Sequence, residues 1–85
     1  MSVLHATDTV TIWTHAGQPA RIVWRGARYT VTDTPTPLSD LLFGVTHPPA
    51  IDGWRFQGTG ELGESKVFDV RHVVEAEWVV LRIYD

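Results

Sequence analysis

From Ala20 to Asp33, apolar and polar positions alternate with one break at Gly26-Ala27, the pattern of a β-hairpin. Gly26 is placed where a type II′ turn needs positive φ, so Gly26-Ala27 reads as a two-residue turn. In that register Arg25 faces Arg28, Trp24 faces Tyr29, Val23 faces Thr30 and Ile22 faces Val31. Side chains alternate across a strand, so Ile22, Trp24, Tyr29 and Val31 share one face. Arg21, Arg25 and Arg28 share the other with Val23, Thr30 and Thr32.

The same period of two marks the remaining strands. Thr7–Thr14 is rich in β-branched residues and alternates, with Val10 and Ile12 inward and Trp13 and His15 outward. Met1–Ala6 reads as a loose end, and Ala16–Pro19 as a turn that keeps Pro19 out of any central ladder. Trp54–Gln57 is a short strand, Gly58–Ser65 a glycine-rich hairpin loop, and Lys66–His72 a strand with Phe68 and Val70 inward. After a reversal at Glu75–Glu77, Trp78–Tyr84 is the last strand. Val79, Leu81 and Ile83 fit its core face, with Trp78, Val80 and Tyr84 opposite. A helix across 67–83 also has apolar residues at helical spacing, but its many β-branched residues favour strands.

Thr34–Gly53 differs: it holds Pro35, Pro37, Pro48 and Pro49 and the run Leu41-Leu42-Phe43. Pro37 at a first helical position and Gly44 past the end predict one short helical turn near 37–43. Leu38, Leu41, Leu42 and Phe43 either plug an open barrel end or form an exposed knob, and the burial a small core needs favours the plug. The sum is an all-β single domain over residues 1–85. It should be a small, strongly bent sheet or an SH3/OB-like barrel of five or six strands, with the last strand beside the first.

Composition narrows the chemistry. The chain has no cysteine, which excludes disulfides and thiolate zinc sites and weakly favours a reducing compartment. There is no secretory leader pattern and no apolar run of the ~20 residues a membrane helix needs, so a cytoplasmic location without membrane contact is expected. The net charge of −3 argues mildly against nucleic acid, but it is unevenly spread. Met1–Asp33 carries three arginines against two aspartates, and Thr34–Asp85 four bases against eight acids. Like charges at Arg25 and Arg28 would repel, so a compensating anion is expected. Either it is an acid of the second half, such as Glu75, Glu77 or Asp85, or it is an external phosphate.

Gly58-Thr59-Gly60-Glu61-Leu62-Gly63 matches G-x-G-x-x-G, but no βαβ unit surrounds it and Glu61 and Glu64 would repel phosphate. It reads as a hairpin loop. His5, His15, His47 and His72 are widely separated, without zinc-ligand spacing, and only His72 has carboxylates nearby in sequence, Asp69 and Glu75. Neither Ser39 nor Ser65 sits in a nucleophile elbow. No catalytic residue, cofactor site or metal site is predicted.

The blocks Trp24-Arg25-Gly26-x-Arg28-Tyr29-x-Val31 and Trp78-x-x-Leu81-Arg82-Ile83-Tyr84-Asp85 resemble a family of small uncharacterised actinobacterial domains. That family shows W-R-G-R-x-Y-x-V, or a close variant, early and W-x-L-x-R-x-x-D at its end. The pattern is also similar to the C-terminal tail of mutagenesis-associated Y-family polymerase-like proteins. The two blocks cover about a fifth of the chain, and Thr34–Gly53 lacks the tryptophan-rich connection of that family. The resemblance implies a non-enzymatic accessory domain linked to DNA damage tolerance, and it transfers no catalytic residue.

The leading expectation is therefore a non-catalytic interaction module that binds another protein or its own copy. Its contact residues would be Trp13, Trp78 and Tyr84, or Leu41, Leu42 and Phe43. The alternative is weak single-stranded nucleic-acid binding through Arg21, Arg25 and Arg28.

Overall fold

The computed structural model describes residues 3–5, 8–41, 52–74 and 76–85. Eight strands follow in chain order: β1 Val3–His5, β2 Thr9–His15, β3 Gln18–Trp24, β4 Ala27–Val31, β5 Thr36–Pro37, β6 Gly53–Gly60, β7 Ser65–Val74 and β8 Glu77–Tyr84. Every pairing is antiparallel. The path β8-β2-β3-β4-β6-β7 returns to β8, so six strands close a barrel. Short β1 continues the β2 side of β8, and β5 continues the β4 side of β6. The last strand does lie beside the first. Among the described residues a single 3₁₀ turn, Leu38–Leu41, falls where the short helical turn is predicted. No helix among the described residues is long and apolar enough to cross a membrane.

Four aromatic rings from four strands fill the barrel. Phe68 is at their centre, edge-on to Trp24 at 6.1 Å and to Tyr29 at 5.1 Å, and stacked on Phe56 at 5.7 Å. Ile22, Val70, Val80, Val10, Ile83 and Trp78 complete the core. Gly58 is a strand residue of β6, not part of the loop. A Cβ there would stand 3.0 Å from both the Phe68 ring and the Tyr29 Cβ, so the rings can pack only against bare backbone. Leu38 is buried and approaches Gly53, so this part of the segment serves as the plug. Leu42 and Phe43 lie outside the described residues.

The hairpin register differs from the predicted one. Trp24 pairs with Ala27, Val23 with Arg28 and Ile22 with Tyr29, which makes Arg25-Gly26 the turn. Both turn residues have positive φ, 50° and 78°, the signature of type I′. The shift removes the Arg25–Arg28 opposition. It displaces the partners by two positions, so Ile22, Trp24, Tyr29 and Val31 keep their inward face.

In β8 the parity itself changes. Val70 pairs with Val80 but Asp69 with Arg82, so Leu81 is an extra residue. Trp78 and Val80 point inward before this bulge and Ile83 after it, whereas Val79 and Leu81 are half-buried. The core face predicted for this strand therefore holds only at Ile83. Residues 3–5, predicted as a loose end, are paired to β8, and Pro19 lies within β3 on the part that β4 does not reach.

The β2–β3 turn is also type I′, with Ala16 at φ 53° and Gly17 at φ 80°. An alanine in the left-handed region is strained by roughly 1–2 kcal/mol, and asparagine tolerates it better. Ala16→Asn should stabilise the domain by about 0.5–1 kcal/mol, read as a higher urea midpoint with an unchanged m-value. Any loss of stability would contradict the turn assignment.

Candidate binding face

Pairing across the barrel wall sets side chains in rows. Trp13 on β2 is opposite Arg21 on β3, Arg21 opposite Thr30 on β4, Thr30 opposite Thr59 on β6, and Thr59 opposite Ser65 on β7. All five project outward. The Arg21 guanidinium lies over the Trp13 ring, 5.2 Å from its centroid. Thr59 Oγ1 is 2.9 Å from Ser65 Oγ and 3.0 Å from Thr32 Oγ1. Arg28, two residues from Thr30 on the same face, joins Trp13, Arg21, Thr30 and Thr59 in lining a groove of about 560 Å³, and Glu61 is also in its lining.

The three predicted arginines therefore divide. Arg21 and Arg28 are exposed, and among the described residues neither has a carboxylate partner. Arg25, at the turn, donates from Nε to Asp8 Oδ2 at 2.7 Å and stacks on the Trp24 ring at 4.8 Å. Trp24 Nε1 donates to the same oxygen at 2.9 Å. The compensating acid is thus Asp8 of the first half. Of the acids expected there, Asp85 pairs with Lys66, Glu77 pairs with no base among the described residues, and Glu75 lies outside them.

The expected contact residues divide as well. Trp13 is 45% exposed. Trp78 is in the core at 7% exposure, stacked on the His72 ring at 4.6 Å, so its predicted outward position is corrected by the β8 bulge. Leu41 is half-buried. Tyr84 is half-buried, and its hydroxyl donates to Asp69 Oδ2 at 3.1 Å while accepting from Arg55 Nη2 at 3.0 Å.

Asp69 is the one buried acid among the described residues, at 3% exposure. It lies on the outer side of β7 beneath a cover of Arg55 and Tyr84. Arg55 contacts it twice, Nε to Oδ1 at 2.7 Å and Nη2 to Oδ2 at 2.9 Å, and stacks on Tyr84 at 5.0 Å. These bonds from Asp69 push the Arg55 pKa further above its ordinary value. His72 pairs with Asp52 at 2.9 Å rather than with Asp69. Among the described residues no three His, Asp or Glu side chains converge as a metal site.

Alternation places Thr30 on the arginine face, but Thr59 and Glu61 read as loop and not as part of that face, because β6 runs on through Gly58 and Gly60. Asp8 left no sequence signal, since both its partners are more than fifteen residues away. Asp69 did leave one, as a lone acid between Phe68 and Val70.

A second feature borders the face. β8 pairs only Thr9 and Val10 of β2, so Ile12–His15 has β3 on one side and no backbone partner on the other among the described residues. The β2–β3 ribbon projects beyond the barrel wall there, with Trp13 at mid-edge.

Comparison with protein-family models, with curated proteins and with solved structures finds no match.

The Asp8 clamp has a pH signature. Its hydrogen bonds to Arg25, first, and Trp24 hold its carboxyl below the ordinary value. A depressed folded pKa contributes stability above the unfolded value of about 4, and loses it as pH falls through the folded value. The difference in melting temperature between the native chain and Asp8→Asn should be constant above pH ~5 and shrink below pH ~4. A difference independent of pH would show that the Asp8 charge contributes nothing.

Proposed function

We propose that this domain is a non-catalytic interaction module that pairs with its own copy through the free edge of β2. The observation that carries the reading is the edge of Ile12–His15 away from β3, which has no backbone partner among the described residues. Natural sheets protect such edges with charge, proline or cover. Here Val10–His15 contains no lysine, acid or proline, and the exposed Trp13 sits in the middle.

A second copy suits this edge for reasons of symmetry. Two identical antiparallel edges are complementary about a two-fold axis, and an uncharged edge meets no like charge across it. The pairing would form a four-stranded ribbon, β3-β2 of one copy and β2-β3 of the other. The two Trp13 rings would then lie on one surface. Trp13 and Arg21 are also of the types that dominate binding energy at protein interfaces. Of Trp13, Trp78 and Tyr84, Trp78 is in the core and Tyr84 is bonded to Arg55 and Asp69, which leaves Trp13 as the exposed ring.

The test is molar mass by light scattering from micromolar to millimolar concentration. The native chain should move toward twice its monomer mass, and Thr14→Lys, which charges the edge opposite Trp13's face, should stay monomeric with an unchanged melting temperature. A native chain that remains monomeric at millimolar concentration would overturn the reading.

A further inference from the structure

The groove on the outer face of β2, β3, β4 and β6 has a chemistry distinct from the edge beside it. Arg21 and Arg28 are on the same outer face, diagonal neighbours on adjacent strands about 7–8 Å apart at their backbones. Neither is neutralised within the described part of the fold. Among the described residues, Arg25, Arg55 and Lys66 are each paired to an aspartate; Arg71 and Arg82 are unpaired as well, but only Arg21 and Arg28 line the groove. Two guanidiniums left facing one hollow on an acidic protein form an anion subsite with two positions.

The remaining lining says what kind of anion. Trp13 offers a broad π-surface with Arg21 already layered on it, a platform on which another planar ring can stack. A carboxylate gains little from an indole face, whereas a nucleobase does. Thr30, opposite Arg21, and Thr59, opposite Thr30, add hydroxyls to the same lining, suited to sugar and phosphate oxygens. The row also crosses four strands as an open trough, which admits an extended chain. We propose that the groove binds single-stranded nucleic acid, with a base on the Trp13–Arg21 stack and consecutive phosphates at Arg21 and Arg28. Glu61, in the same lining, repels phosphate and keeps affinity low.

The contacts make numerical expectations. Two phosphate contacts to a single strand give a slope of log K against log salt of roughly −1.4, about −0.7 for each. Losing one arginine should lower its magnitude by about 0.7. The experiment is an amide and indole NMR titration of the full chain with a short oligothymidylate at low and then moderate salt. Shifts should map to the Trp13 indole and to Arg21–Thr30, and should fade with added salt.

Trp13→Ala should weaken binding roughly tenfold or more, as loss of a stacked base does. Arg28→Gln should flatten the salt slope, and Glu61→Gln should tighten binding by roughly two- to fivefold. Trp13, Arg28 and Glu61 are all exposed, so these variants should fold as the native chain does. No shifts at low salt would overturn the proposal. So would shifts that persist unchanged in both Trp13→Ala and Arg28→Gln. Displacement of the oligonucleotide by an equal charge of polyglutamate peptide would reassign the face to an acidic protein segment. Edge pairing is read from molar mass and groove binding from chemical shifts, so the two proposals can fail separately.

Discussion

Everything in this barrel is fitted around one ring. Phe68 is fully buried and touches aromatic rings from β3, β4 and β6, so three separate stretches of chain are held together through a single side chain. A domain of this length has little volume to bury, and large rings supply the most apolar area per residue. The cost falls on the neighbours. β6 presents a glycine at 58, where a Cβ would crowd Phe68 and Tyr29 at 3.0 Å. That residue then looks like loop to a reader of the sequence, although it is wall. The glycines that imitate a nucleotide-binding motif are in part the clearance the core requires.

The charges are arranged to hold the outside of the wall as the rings hold the inside. Asp8 ties the β3–β4 turn to the start of β2 through Arg25 and the Trp24 indole, and its carbonyl accepts the Val80 amide at 2.9 Å. Asp69 is sealed on the other side by Arg55 and Tyr84, with every one of its partners also a partner of another. Buried acids are tolerated only when fully hydrogen-bonded, and no buried side-chain polar atom among the described residues lacks a partner. Because the aspartates claim Arg25 and Arg55, the arginines that remain unclaimed have meaning. Exposure and the lack of an acid would not single out Arg21 and Arg28, since Arg71 and Arg82 share both; their place in one groove beside Trp13 does.

How much was legible in the sequence follows from what period-two patterning can carry. It fixes which side of a strand faces the core wherever the strand is regular, so Val10, Ile22, Trp24, Tyr29, Phe56, Phe68 and Val70 were all readable as inward. It does not fix register. The hairpin at Arg25-Gly26 could slide by two positions without changing any face, and only the φ values of the turn and the reach of Asp8 select one answer. Nor does it survive a bulge. One extra residue at Leu81 turned Trp78 from an outward contact into core. β1 and β5 were missed because strands of three and two residues carry too few positions for any period. Of the groove, Trp13, Arg21, Arg28 and Thr30 were readable from alternation, but Thr59 is on β6 and Glu61 in the turn after it, and the pairing of β6 to β4 is a long-range fact.

Edge and face meet at Trp13, and the geometry of a strand lets both be used at once. Strand addition is made by backbone groups lying in the plane of the sheet, whereas the groove is made by side chains standing perpendicular to it. In the proposed pair, the β2 edges would join in the plane and leave each Trp13–Arg21 stack facing outward, side by side across the two-fold axis. Two shallow grooves would then become one longer trough with four unpaired arginines. A ligand bridging both halves would gain by effective concentration what each half lacks in affinity. That coupling would reconcile a weak site on an acidic monomer with a useful interaction: the monomer's net charge works against an anion over long distances, while the paired face gathers Arg21 and Arg28 of both copies.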